Sequence, residues 1–106
     1  MDVAAYVQAF NEGVETGEWD RFVEYFSDDA VMEFEGPPAG PLTGKAAIRL
    51  AYRQQPPDGT IELVGPTFHD DDVLVAPYRW TATGGTGTMR FETTDGLISR
   101  LIITLG

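Results

Sequence analysis

Only a few side chains of this 106-residue chain could carry acid–base chemistry near neutral pH. His69 is the single histidine, and it would act as a general base with a carboxylate from residues 70–72 orienting its ring. The alternative, which the pattern favours, is an exposed histidine at a strand end beside an acidic turn. Glu35 is the other candidate base, because it ends a predicted strand beside a glycine- and proline-rich segment.

Tyrosine hydroxyls are the candidate hydrogen-bond donors. Tyr6 and Tyr52 are the two that we expect to stabilise a developing oxyanion or hold a ligand's oxygen, whereas Tyr78 is interpreted as amphipathic core. Arg79 and Trp80 are neighbours in a predicted strand and therefore face opposite sides. An inward Arg79 would bind a carboxylate or enolate, and an inward Trp80 would form an aromatic wall for a ring-shaped ligand.

The composition excludes several other kinds of chemistry. The chain has no cysteine and one histidine, which removes thiolate nucleophiles and histidine-rich metal clusters, so we expect no metal and no cofactor. A formal net charge of −10 disfavours nucleic acids and anionic membrane surfaces as partners. No apolar run approaches the roughly 20 residues that span a bilayer, and no signal-peptide pattern is visible. We therefore expect a soluble, cytoplasmic protein.

The first half of the chain predicts three helices. A stripe of apolar residues at spacings of three and four predicts the first, which Gly17 ends: Val3, Tyr6, Val7, Phe10 and Val14. A second stripe predicts a helix that ends at residues 27–29: Trp19, Phe22, Val23 and Phe26. Thr43 is the expected N-cap of a third helix over residues 44–54.

The second half predicts strands. A short strand over 30–35 precedes the third helix, separated from it by an irregular segment over 36–41. Longer strands are predicted over 60–68, 73–83, 86–93 and 97–105, with Asp95-Gly96 as a hairpin turn. The last strand is apolar on both faces, with Leu97 and Leu101 on one and Ile98 and Ile102 on the other. It therefore needs cover on both sides, from the helices and from a partner subunit.

The order of these elements, and several segments, resemble a known superfamily. The segments are Gly17-Glu-Trp-Asp-Arg-Phe-Val-Glu-Tyr-Phe26, Ser27-Asp-Asp-Ala-Val31, Leu42-Thr-Gly-Lys-Ala-Ala-Ile48 leading to Tyr52, and Asp95-Gly-Leu-Ile-Ser-Arg-Leu101. They resemble the nuclear transport factor 2-like superfamily, with its SnoaL-like polyketide cyclases and ketosteroid isomerases. The resemblance implies one α+β domain over 1–106, with three N-terminal helices packed on a curved, mainly antiparallel sheet. This is a cystatin-like cone with a central pocket, and its outer sheet face often forms a homodimer.

The same resemblance allows the reacting positions of the isomerases to be counted along this chain. The base position corresponds to Phe34, the donor tyrosine to Phe10 and the donor aspartate to a position close to Met89, while Tyr52 matches a supporting tyrosine. A bulge near Gly36 would be needed to turn Glu35 inward. We therefore expect an apolar pocket, with these ligand-binding residues: Phe10, Phe26, Met32, Phe34, Trp80, Met89, Phe91, Leu101 and Ile103.

The sequence thus predicts a small-molecule pocket protein, of an isomerase or cyclase type that works by proton transfer on an apolar ligand. Glu35, Tyr6, Tyr52 and His69 are its candidate catalytic residues. The alternative is a non-catalytic ligand-binding or dimerising module. The enzyme requires a carboxylate or imidazole within hydrogen-bond reach of the cavity, and the binding module does not.

Overall fold

A computed structural model describes residues 1–35 and 40–105 of the chain. Its elements in chain order are α1 (Val3–Thr16), α2 (Asp20–Val23), β1 (Phe26–Glu35), β2 (Leu42–Thr43), α3 (Lys45–Gln54), β3 (Ile61–Leu63), β4 (Phe68–Asp70), β5 (Val73–Trp80), β6 (Thr86–Thr94) and β7 (Leu97–Leu105). Over these two ranges, no helix has both the length and the apolarity that crossing a membrane requires. The irregular segment predicted over 36–41 lies outside the described residues at 36–39.

The seven strands form one open sheet in the order β2-β1-β7-β6-β5-β3, with β4 also paired to β5. Among the described residues, β1 and β7 are the one parallel pair, and the other pairings are antiparallel. The helices pack on one face of the sheet and share a single apolar core with it. The α+β class, with three helices on a mainly antiparallel sheet, is therefore confirmed.

Helix α1 begins and ends where its sequence predicts. The Asp2 side chain accepts a hydrogen bond from the Ala5 amide at 3.1 Å, which satisfies a donor that the first turn leaves free. The Gly17 amide donates to the Gly13 carbonyl at 2.8 Å and ends the helix. The apolar stripe faces the sheet, and Tyr6 and Phe10 are buried on it.

The prediction of a second helix reaching Phe26 is wrong, because α2 ends at Val23 and β1 begins at Phe26. Phe26 pairs with Ile98, and the Ile98 amide donates to the Tyr25 carbonyl at 2.8 Å. The helical spacing of Phe26 is therefore accidental, since its ring enters the core from a strand. Pairing with the last strand overrides a weak local preference.

Three further boundaries differ from the prediction. The strand predicted over 73–83 ends at Trp80. Thr43 is not the N-cap of the third helix but lies in β2, opposite Val31, and Gly44 takes the N-cap position. The predicted strand over 60–68 is two strands, β3 and β4, separated by residues 64–67. The break lies beside Pro77 of β5, whose carbonyl accepts from the Val64 amide but whose ring nitrogen has no hydrogen to donate.

The facing predicted for the last strand is wrong at Ile98. Ile98 is fully buried in the core, and Leu97 is 40% exposed. The pairing register of β6 and β7 shifts between Glu92 and Thr93, which reverses the alternation for the residues before Ser99. The hairpin turn at Asp95-Gly96 is confirmed, since both residues have the positive φ angles, 54° and 81°, of a tight two-residue turn.

Candidate functional site

A cavity of about 330 Å³ lies between the inner face of the sheet and helices α1 and α3. Its wall follows a row of side chains that crosses four strands, because Phe34, Ile103, Met89 and Ala76 are successive cross-strand partners. The first three of these line the cavity. One row deeper, the corresponding residues belong to the closed core.

This arrangement divides the nine residues that the sequence predicts as ligand contacts. Five of them line the cavity: Phe10, Phe34, Trp80, Met89 and Ile103. The other four are fully buried behind it: Phe26, Met32, Phe91 and Leu101. The ring of Tyr6 on α1 packs against two of them, at 5.1 Å from the Phe91 ring and 6.2 Å from the Phe26 ring.

Aromatic rings form much of the remaining wall. Phe10 lies 6.5 Å from Tyr52 and 6.4 Å from Trp80, in edge-to-face geometry in both cases. Trp80 in turn lies 5.9 Å from Tyr78. Such edge-to-face packing holds each ring in a fixed orientation, so these walls are suited to a flat ligand.

The edge strand β3 reaches the cavity through a contact with helix α1. The Asn11 side-chain amide donates to the Ile61 carbonyl and accepts from the Ile61 amide, both at 2.9 Å. Asn11 therefore pairs with β3 as a neighbouring strand would. This contact fixes Ile61, a cavity-lining residue, against the helix.

Three tyrosine hydroxyls belong to the lining: those of Tyr6, Tyr52 and Tyr78. The Tyr52 hydroxyl donates to the Met32 sulfur and the Tyr78 hydroxyl to the Thr104 carbonyl, each at 3.4 Å. The Tyr6 residue is only 1% exposed, and its hydroxyl has no hydrogen-bond partner among residues 1–35 and 40–105. Tyr6 therefore brings an uncommitted donor to the cavity.

Burial controls the protonation of these hydroxyls. It is the largest cause that raises the pKa of Tyr6 well above 10.0, and the proximity of Tyr52 and Tyr78 adds to the rise. Burial likewise raises the pKa of Tyr52, with a further contribution from Tyr78. It also raises the pKa of Tyr78, where a hydrogen-bond contribution from Trp80 acts in the opposite direction. All three hydroxyls are therefore neutral at physiological pH.

Tyr78 lines the cavity, although its sequence pattern predicted amphipathic core. Gly87 is its cross-strand partner, and a Cβ atom on Gly87 would lie 2.6 Å from the Tyr78 hydroxyl oxygen and closer still to the Thr104 carbonyl. The absence of a side chain at Gly87 lets the Tyr78 ring cross β6 and reach Thr104. The alternation of Ala76, Tyr78 and Trp80 along β5 was the signal that could have identified it.

The two candidate bases lie away from this cavity. Glu35 is exposed, pairs with Thr104 in regular register and accepts a hydrogen bond from the Thr104 hydroxyl at 3.2 Å. His69 is exposed on β4, beside a shallow surface depression near the N-terminus of α1. Neither residue belongs to the described lining.

Arg79 and Trp80 take opposite faces, as strand geometry requires. Trp80 faces the cavity, and Arg79 is on the outer face, where its Nε donates to Glu62 at 2.8 Å. Over residues 1–35 and 40–105, no cluster of three or more histidine, aspartate or glutamate side chains could hold a metal ion. The lining described there also contains no carboxylate, imidazole or amine.

Comparison with known proteins agrees with this geometry. Residues 3–101 match the family model of the SnoaL-like domain. Among solved structures, a "Putative Isomerase from Bacillus subtilis" is 19% identical, with a TM-score of 0.72 and coverage of 97% of this chain and 85% of its own. A "putative polyketide cyclase" from Sinorhizobium meliloti is 24% identical, with a TM-score of 0.68 and 93% coverage of each chain.

A designed protein extends the comparison to a sequence without natural ancestry. This "de novo designed protein with curved beta-sheet" is 16% identical, with a TM-score of 0.70 and coverage of 98% of this chain and 84% of its own. None of the curated proteins matches this chain in sequence. At such identities the structural likeness shows the fold alone.

Proposed function

We propose that this chain, which belongs to the SnoaL-like domain family, binds a small, mainly apolar molecule that carries an oxygen acceptor. The observation that carries the proposal is the Tyr6 hydroxyl, whose residue lines the cavity and which has no hydrogen-bond partner among the described residues. Among those residues no buried side-chain oxygen or nitrogen lacks a partner, so this free hydroxyl is not sealed in the core. A ligand oxygen that accepts its hydrogen bond should add about 1 kcal/mol to the free energy of binding.

The walls of the cavity define the rest of the ligand. They are mainly aromatic and aliphatic, with Gln55 adding a side-chain amide, and the cavity volume is at the small end of the range for ligand pockets. A flat molecule of about two fused rings suits such a space. Proton transfer requires a base and binding does not, and the described lining holds no carboxylate, imidazole or amine. This favours the non-catalytic alternative.

Titration with tetralone, a two-ring ketone, tests the proposal. Trp80 lines the cavity, so a bound ring should change its fluorescence. We expect saturable binding that Tyr6→Phe weakens by about fivefold, the equivalent of one net hydrogen bond. Tyr25→Phe is the matched control, because Tyr25 packs beside Tyr6 but does not belong to the described lining.

Two results would contradict the proposal. One is an absence of saturable binding by the folded wild-type protein. The other is an equal loss of affinity in the Tyr6 and Tyr25 variants, because the hydroxyl would then act only through stability.

An isomerase- or cyclase-type activity is the second candidate, and one observation favours it. The Tyr6 hydroxyl is neutral, belongs to the cavity lining and is uncommitted among the described residues, so it can donate to an enolate oxygen. The names of the isomerase and cyclase among the similar structures agree with this chemistry. In that case the proton acceptor would be the substrate, solvent or Glu35 after a rearrangement of the end of β1.

Deuterium exchange separates the two candidates. An enzyme that forms enolates would accelerate the exchange of the protons next to the tetralone carbonyl in heavy water, as followed by NMR. The binding proposal expects exchange at the rate of buffer alone. If exchange is accelerated, Glu35→Gln and His69→Ala determine whether either predicted base takes part.

We further propose that two copies associate through the outer sheet face. Val31 and Ile102 are half-buried apolar residues of that face, beside the ion pair of Arg100 with Glu33. Sedimentation should therefore show a dimer that Ile102→Glu converts to a monomer. Leu50→Glu, which changes an exposed leucine on α3, should leave the dimer intact. A wild-type monomer at micromolar concentration would contradict this proposal.

A further inference from the structure

Among the cavity hydroxyls, that of Tyr52 has a neighbour that determines the direction of its hydrogen bond. The neighbour is the Met32 sulfur, 3.4 Å away and fully buried behind the cavity wall. A thioether sulfur has no hydrogen and can only accept, so the Tyr52 proton must be the one donated. The proton therefore lies on the core side of Tyr52, and the oxygen lone pairs remain for the cavity.

This makes Tyr52 the opposite of Tyr6. Tyr6 offers the cavity a proton, because its hydroxyl has no partner in the described part of the chain. Tyr52 offers an acceptor, and a hydroxyl that already donates one hydrogen bond accepts the next more strongly. Neither polarity could be read from the residue types, since both are tyrosines.

We propose that Met32 is the specificity-determining residue of the cavity, although it does not line it. By holding the Tyr52 proton, Met32 fixes Tyr52 as an acceptor and so favours ligands that present an O–H group there. This inference rests on the proposed binding function of the same cavity. It adds a residue, outside the site, that selects between two chemically similar ligands.

Replacing Met32 by a residue without sulfur should reverse the preference of the cavity, from ligands that donate a hydrogen bond to ligands that accept one. Met32→Leu keeps an apolar side chain of similar volume and removes the acceptor, so the Tyr52 proton becomes available to the cavity. Tetralone, which only accepts, should then bind about fivefold more tightly, and naphthol, which donates, about fivefold more weakly. The two probes have similar two-ring frameworks, so a packing defect would shift both in the same direction.

A second methionine provides the matched control. Met89 lines the cavity but makes no hydrogen bond with a tyrosine hydroxyl among the described residues. Met89→Leu should change the affinities of the two probes by similar factors. In the double variant Met32→Leu with Tyr52→Phe, the exchange of preference should disappear, because no hydroxyl remains to be redirected.

Calorimetric titration of both probes into each folded variant provides the test. If Met32→Leu does not fold, Tyr52→Phe alone decides: naphthol should weaken about fivefold while tetralone stays within about twofold. A weakening of tetralone instead, or shifts of equal sign in Met32→Leu, would overturn the role of Met32 and leave the binding function standing. If the wild-type protein binds neither probe, both proposals fail.

Discussion

At two positions the protein requires glycine, because an aromatic ring packs directly against the backbone there. A Cβ atom on Gly87 would overlap the Tyr78 ring, and one on Gly13 would lie 2.8 Å from Cδ2 of Trp19 and closer to two other ring atoms. Gly13 is inside helix α1, where glycine is unfavourable by about 0.5–1 kcal/mol relative to alanine. The buried Trp19 ring makes this local cost acceptable.

Gly13→Ala should therefore destabilise the protein, although the same change stabilises most helices. We expect a loss of about 1–3 kcal/mol in the free energy of unfolding, measured by urea denaturation, because the new methyl group displaces a packed indole. In a Trp19→Leu background the alanine should cost much less. An increase in stability from Gly13→Ala in the wild-type background would contradict this packing.

The buried tyrosines predict how stability depends on pH. The pKa values of Tyr6 and Tyr52 are raised in the folded state above the value of about 10 that an unfolded chain has. Their contribution is complete below pH 10. Above it, the unfolded state loses protons that the folded state retains, so the free energy of unfolding falls.

The expected fall is about 1.4 kcal/mol per pH unit for each such tyrosine. Urea denaturation between neutral pH and pH of about 11 should show the slope. It should be shallower in Tyr6→Phe and in Tyr52→Phe, and a slope that neither variant changes would exclude these residues as its cause.

At the scale of elements, much of the fold could be predicted because its signals are local. The stripe of α1, the Asp2 and Gly17 ends and the Asp95-Gly96 turn each depend on a few adjacent residues. The errors arose where distant pairing decides. Phe26 joins β1 only because Ile98 is its partner, and the break between β3 and β4 matches Pro77, which is in another strand.

The joint between α1 and β3 is another long-range feature that the sequence did not reveal, because asparagine in a helix is usually solvent-exposed. Asn11→Ala removes both hydrogen bonds to Ile61 and leaves a partly buried amide and carbonyl without partners. We expect a loss of about 1–3 kcal/mol in stability and faster hydrogen exchange at the Ile61 amide. Asn11→Asp retains the acceptor and should give an intermediate effect. Unchanged exchange at Ile61 in Asn11→Ala would contradict the role of this joint.

Over the whole molecule, the sequence predicted which side chains face the inside of the fold more accurately than how deep each one lies. Tyr6, Tyr52 and five of the predicted contacts line it, because strand alternation and helix periodicity give the side that a residue faces. The other four predicted contacts lie in the buried core, since alternation gives no position along the axis of the cone. The hydrogen-bond direction of Tyr52 depends on Met32 across the core and has no local signal.

The charge of the whole chain should also make the cavity discriminate against anionic ligands, an effect that no single residue provides. The chain carries a net charge of −10, and the described cavity lining holds no cation. Naphthoate, an anionic relative of naphthol, should bind at least about tenfold more weakly than naphthol, because its carboxylate would lose water without gaining a partner. Added salt should narrow but not abolish the difference, as a titration series would show. Equal affinities for the two probes would contradict an uncharged cavity.

The parallel pairing of β1 with β7 also determines when, during synthesis, the sheet of this protein can form. A ribosome completes β1 long before β7, and until then the longest strand of the first half has no central neighbour. The side chains of β1 that pack beside β7 therefore lack this neighbour until β7 has been synthesised. The sheet can be completed only after that point, and before it we expect the chain to depend most on protection from aggregation.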